Sequence, residues 1–160
     1  MKTKITDKSI TDAGHDIDTA EQVRTLCAHL DCQPDDLSLG KYDHYGLPVY
    51  SLGRREYAIG TDSEADAAAA EYVKDSLWAF SSPFILEQCG LPFELAKPIG
   101  EWQATECESA NDTLLDLVKK CTTLAAFTDS AISADGRGHF LSSYDGEEYE
   151  EGNFFIYRTN

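Results

Sequence analysis

Positive charge is scarce in this chain, and the scarcity excludes more than any motif it carries. Lys and Arg number 13 against 29 Asp and Glu, a formal net charge of -16 over 160 residues. Affinity for a phosphate backbone comes largely from Lys and Arg, so neither direct nucleic-acid binding nor adhesion to an anionic membrane is expected. No stretch approaches the ~20 apolar residues that a membrane span needs. The N-terminal stretch from Met1 to Asp18 has no apolar segment of the kind a secretory signal carries. No CxxC occurs, and the five cysteines (Cys27, Cys32, Cys89, Cys107 and Cys121) are scattered and odd in number. Reduced thiols and a cytoplasmic location are therefore expected.

Catalytic signatures are missing as well. There is no HExxH, no HxH and no paired Cys/His set of the kind that holds zinc. Ser81-Ser82 and Ser142-Ser143 lack a nucleophile elbow. No cofactor is expected, and catalysis is unsupported by any motif.

What the chain does have is material for a core. Hydrophobic residues make up 42% and aromatics 11%, which argues against disorder despite the charge. A flexible arm is expected over 1–18 and a single α+β domain over 19–160. Val23, Leu26, Cys27 and Leu30 recur at i, i+3, i+4 and i+7, which predicts a helix over Ala20–Leu30 with Thr19 as its cap. Pro34 beside Asp35 and Asp36 suits a short helical start ending at Gly40. Leu47–Leu52 and Glu56–Thr61 flank Gly53-Arg54-Arg55 and read as a hairpin with Tyr50, Leu52, Tyr57 and Ile59 on one face. A long helix is predicted over Asp62–Phe80, stopped by Ser81-Ser82-Pro83, and short helical turns over Phe84–Trp102. Further helices are predicted from Ser109 or Asn111 to Cys121 and over Leu124–Ile132. Asn153–Arg158 should join the hairpin in a small antiparallel sheet packed against the helices. His139–Tyr144 reads equally as strand or helical turn.

Three places carry candidate chemistry. Asp135-Gly136-Arg137-Gly138-His139 has glycines flanking an arginine, which can cradle an anion but more commonly make a tight turn. His139 can serve as a base or ligand, with Arg137 and Asp145 as catalytic partners, or with Asp43, His44 and Asp145 as a metal set; a hydrogen-bonded histidine in a packed turn is the plainer alternative. The run from Asp145 to Glu151 packs five acids into seven residues without the ligand alternation of a calcium loop. It reads as a solvated loop or as a display of negative charge. Tyr42, Tyr45, Tyr50, Tyr57 and Trp78 fit a binding surface or the edge of a core equally well.

Tyr42 to Phe80 (YDHYGLPVYSLGRREYAIGTDSEADAAAAEYVKDSLWAF), the ANDTLLDLV segment and ADGRGHFLSSYDGEE with the terminal IYRTN resemble a group of small acidic proteins encoded by bacterial phages and mobile elements. That group has no assigned activity, so the resemblance implies a bacterial host and a genomic context. Joined to the acidity, it leads to an expected function: a non-enzymatic inhibitor that occupies the basic surface of a host nucleic-acid-binding defence protein by mimicking DNA electrostatically. Glu64, Glu71 and Asp75, with Glu147, Glu148, Glu150 and Glu151, form the expected partner-binding face. The alternative is a small hydrolase or nucleotide-binding enzyme built on the Asp135–Asp145 loop.

Overall fold

The computed structural model describes residues 4–160. It is α+β, as the patterning predicts, and no described helix is long and apolar enough to cross a membrane. Where one domain is expected over 19–160, the chain divides into two compact units. One comprises the residues up to Ala68 together with Arg137–Asn160; the other is Ala69–Gly136.

The first unit holds a five-stranded antiparallel sheet in the order β1-β2-β3-β5-β4. Its strands are β1 (Leu37–Leu39), β2 (Val49–Leu52), β3 (Arg55–Thr61), β4 (Tyr149–Glu151) and β5 (Phe154–Arg158). Leu52 pairs with Arg55 and Glu151 with Phe154, so both hairpins close on two residues, Gly53-Arg54 and Gly152-Asn153. Each loop begins on a glycine with φ near +60°, the sign that a short hairpin turn matching the strand twist requires at that position. The expected β2, β3 and β5 are present; β1 and β4 are additions at the two edges.

One sheet face carries the alternating residues Tyr50, Tyr57, Ile59, Ile156 and Phe154, all buried. Helix α2 (Ala20–Leu30) covers it with Val23, Leu26 and Cys27, and Ile10 packs into the same cluster. Ile10 belongs to α1 (Asp7–Asp12), so the expected flexible arm is corrected from residue 4 onward; Met1–Thr3 lie outside the described residues. The capping box between Thr6 and Ser9 starts this helix, and burying Ile10 holds it against the sheet. Thr19 does not cap α2 through its side chain. A 3-10 turn over Ile17–Thr19 precedes the helix, and the Thr19 hydroxyl donates to the Asp16 carbonyl instead.

The other sheet face presents Ala58 and Tyr157 in its buried part. Here the chain also forms α8 (Arg137–Leu141), which resolves the ambiguity at His139–Tyr144 in favour of a helical turn for its first part. Helix α3 (Asp62–Asp75) starts directly after β3 and continues into the second unit.

The second unit is helical. It contains the end of α3, then α4 (Ser82–Cys89), α5 (Ala96–Glu106), α6 (Asn111–Cys121) and α7 (Leu124–Asp135). Helix α3 stops at Asp75 rather than at Phe80. The Asn111 side chain explains the stop: its amide donates to the Lys74 carbonyl at 2.8 Å and its oxygen accepts the Trp78 N–H at 3.2 Å. Buried Gln103 donates to the carbonyls of Trp78 and Phe80, so irregular backbone keeps its partners away from water. Ser81-Ser82-Pro83 begins α4, with Ser81 as its cap and proline in the first turn. Pro98 likewise lies in the first turn of α5, which explains why Ala96–Glu106 runs as one helix across a proline.

Candidate functional site

The Gly-flanked arginine is an interior anchor. Arg137 is 9% exposed, and its guanidinium is divided among three carboxylates. Its Nε and Nη2 donate to the two oxygens of Glu148 at 2.9 and 3.2 Å, a bidentate fork. Its Nη1 donates to Asp62 Oδ1 at 2.8 Å, to the Asp62 carbonyl at 3.0 Å and to Asp66 Oδ1 at 2.9 Å. The guanidinium also lies over the Phe155 ring, 4.4 Å from its centroid. Burial works against its charge, but the bonds to Glu148 and Asp62 and the charges around it hold its pKa above the ordinary arginine value. The Tyr157 hydroxyl donates to Glu148 as well, and burial, then that bond, raises its pKa. The fork is therefore saturated by the protein's own acids and is not presented to a substrate.

The other residues proposed for that loop have their own surroundings. His139 is exposed, with its ring edge-on to Phe140. Asp145 accepts the Ser142 hydroxyl at 2.6 Å, the Glu147 N–H at 3.1 Å and the Tyr149 hydroxyl at 3.2 Å. Slight burial opposes its charge, yet these bonds hold its pKa below the usual carboxylate value. Its role is to close the turn into β4. Among the described residues, no group of three or more His, Cys, Asp or Glu is placed to hold a metal ion, so Asp43, His44, Asp145 and His139 do not assemble as a ligand set.

Of the seven acids of the expected partner-binding face, Glu64, Glu147, Glu148, Glu150 and Glu151 belong to the first unit, and Glu71 and Asp75 to the second. On α3, Asp62 and Asp66 point to one side and reach Arg137, which brings Glu148 to that same side. At ~100° per residue, Glu64, Glu71 and Asp75 project roughly opposite to Asp62 and Asp66. Glu64 also caps its own helix: its carboxylate accepts the Thr61 N–H at 2.8 Å. Glu71 pairs with Lys74 at 3.0 Å. On β4, alternation sends Glu150 to the Arg137 side of the sheet and Glu151 to the α2 side, where it lies 4.0 Å from His29. Glu147 is exposed. Within the first unit the expected face is thereby divided: Glu64 turns away from the Arg137 side of α3, Glu150 and Glu151 lie on opposite faces of β4, and Glu148 is half-buried against Arg137; Glu71 and Asp75 belong to the second unit.

A polar cleft of about 290 Å³ went unnoticed in the sequence. Lys41, Asp43, His44, Glu56, Ser143 and Thr159 line it. His44 and Leu47 bridge across Tyr45-Gly46, whose φ values of 53° and 90° make the tight turn that aims the imidazole. His44 Nε2 lies 2.8 Å from the Leu141 carbonyl, so that nitrogen carries the proton. Burial, only partly opposed by this bond and by Asp43, lowers the His44 pKa and keeps the ring neutral near pH 7. The Thr159 hydroxyl is buried and has no hydrogen-bond partner among the described residues. The Tyr-Gly turn was the available signal; the bond to Leu141 joins positions 97 apart and has none.

Compared with known proteins, the chain matches no family model, no curated protein and no solved structure.

Proposed function

We propose that this is a non-enzymatic binding protein that docks through exposed carboxylates onto the basic surface of a nucleic-acid-binding partner. The observation that carries the reading is the α3 stripe: Glu64, Glu71 and Asp75 on one side of a single helix, all exposed. Lys74, paired with Glu71 and close enough to Asp75 to feel its charge, offsets only part of the three negative charges. Elsewhere Arg24 is held by Asp7, Lys8 by Asp12, and Arg137 by three acids, while the acid surplus stays at the surface. Such a surface raises the encounter rate with a basic partner and suppresses nucleic-acid binding.

Spacing refines the reading. At 1.5 Å per residue the stripe spans about 16 Å, where one DNA strand places about five phosphates. Three carboxylates over that length compete with nucleic acid through their field more than through phosphate-like spacing. The resemblance to phage-borne acidic proteins directs the search for the partner to host defence proteins.

The test is capture from a bacterial lysate at low and high salt, followed by titration of the purified partner. A basic nucleic-acid-binding protein should be retained at low salt, displaced by DNA, and bound at least about tenfold more weakly by the Glu64→Lys/Glu71→Lys/Asp75→Lys variant, which is about 1.4 kcal/mol. Affinity that ignores both salt and charge reversal refutes the proposal.

A further inference from the structure

Helix α2 ends by bringing two thiols together. Asp31 takes the left-handed conformation, φ 54°, and the Cys32 N–H folds back onto the Cys27 carbonyl at 3.1 Å. This closure is the Schellman arrangement, in which the residue after the left-handed position packs its side chain on the one five residues earlier. Here both are cysteines, so the closure sets them side by side at the end of one helix and on one cavity. Cys27 is buried in the cluster under the sheet, while Cys32 is half-buried at its margin. A cavity of about 320 Å³ opens onto both sulfur-bearing residues and is also lined by Lys4, Arg24 and Gln33.

We propose that Cys27 and Cys32 form a reversible dithiol–disulfide site that reacts with small disulfides of the glutathione class. Cys32, the more accessible, attacks one sulfur of the glutathione disulfide as a thiolate and releases one glutathione thiolate. Cys27, once deprotonated, attacks the Cys32 sulfur, breaks the mixed disulfide and releases the second glutathione. The two protein thiols lose two electrons and two protons; the glutathione disulfide gains them and leaves as two thiols. The Lys4 ammonium on the cavity wall suits a carboxylate of that tripeptide, while Arg24 is already paired with Asp7.

Burial governs the chemistry of the pair. Desolvation, with the neighbouring Cys32 second, pushes the Cys27 thiol up to about 12. Desolvation also raises Cys32, against the hydrogen bond from Cys27 and with the help of Asp36 and Asp31. Few thiolates are present near neutrality, so the exchange is slow. The same absence leaves the reduced form without the thiolate stabilisation that makes low-pKa dithiols strong oxidants.

The full chain is equilibrated in glutathione buffers of increasing oxidised fraction, quenched in acid, alkylated and mapped by peptide mass spectrometry. The expected product is an intramolecular Cys27–Cys32 disulfide that appears in one reversible two-electron step with the far-ultraviolet circular dichroism unchanged. Cys27→Ser should raise the mixed disulfide trapped at Cys32 about tenfold over wild type, because the resolving thiol is gone. Exposed Cys107 reports that the reagent is active. The proposal is overturned if Cys107 is modified while Cys27 and Cys32 both remain thiols. A persistent mixed disulfide at Cys32 in the wild type, or a disulfide that forms only in denaturant, overturns it equally.

Discussion

Replacing Arg137 by alanine tests the internal architecture most directly. Its three carboxylate partners differ in how much they lose. Asp62 and Asp66 are 72% and 60% exposed at the side chain, so water takes over when the guanidinium goes, and each pair contributes no more than about 0.5–1 kcal/mol. Glu148 is 28% exposed and held in a fork, where charge-assisted hydrogen bonds are worth about 1.5–3 kcal/mol. Stacking over Phe155 adds about 0.5–1 kcal/mol. The terms overlap, and Glu148 can turn partly to water, so the expected loss is about 2–3 kcal/mol, below the ~3–5 kcal/mol of a fully buried broken pair. Arg137→Lys should recover less than half, since an ammonium cannot fork across Glu148 and still reach α3. Both tryptophans, Trp78 and Trp102, lie in Ala69–Gly136. Fluorescence therefore follows the second unit, and amide exchange along β3 and β5 must be used to follow the first. A double-mutant cycle with Glu148→Gln should return a coupling of about 1–2 kcal/mol. Exchange in the Arg137→Ala protein within about 0.5 kcal/mol of wild type, or no coupling to Glu148, would refute the reasoning.

Three further outcomes are expected. A Cβ on Gly138 would lie 2.5 Å from the Gly146 carbonyl oxygen and 2.7 Å from the Glu147 carbonyl carbon, both backbone, so Gly138→Ala must displace the segment that presents Glu148; a loss of about 2 kcal/mol or more is expected by urea denaturation, and a neutral result would contradict this packing. Asn111→Ala leaves the Lys74 carbonyl and the Trp78 N–H without their partner, which should cost about 1–2 kcal/mol and be visible in tryptophan fluorescence, whereas an unchanged midpoint would mean that water replaces the amide fully. His44 is depressed when folded, so the unfolded chain takes up its proton first as pH falls; its contribution is complete above about pH 6.5 and declines as pH drops through that value toward the folded pKa. An NMR titration should therefore place the His44 midpoint below about 6.5, and a midpoint at or above it would rule out the buried neutral ring.

Period and turn chemistry made much of the fold readable. The apolar i, i+3, i+4, i+7 spacing of Val23, Leu26, Cys27 and Leu30 delivered α2 to the residue, because that face is buried in a single layer. Alternation around Gly53 located the central hairpin for the same reason. Elements that depend on distant partners were not readable. β1 is three residues long and exists because β2 offers it an edge. α3 ends where Asn111, from another helix, takes over its terminal carbonyl. At the candidate site the glycines of Asp135–His139 read as an anion cradle or a tight turn; that Gly138 packs against the backbone of Gly146–Glu148, and that Asp62, Asp66 and Glu148 surround Arg137, depends on distant residues that nothing local shows. Charge totals gave the acidity, while its distribution into a helix stripe and a strand edge follows from the opposite sides of α3 and the two faces of β4. Acids along β4 also discourage another strand from pairing there, whatever partner the protein has.

The Arg137 cluster bears on how the chain is assembled. The first unit is interrupted after Ala68 and resumes at Arg137, and the guanidinium at the point of return is tied to Asp66 and Asp62, within two turns of the point of departure. The two cut ends of the sheet-bearing unit are thus stitched side by side, which makes the 69–136 segment an insertion whose removal leaves only a short gap to close. A chain with a brief Gly/Ser bridge in place of those residues should retain the five-stranded sheet, because all of its strands and the covering helix α2 belong to the first unit.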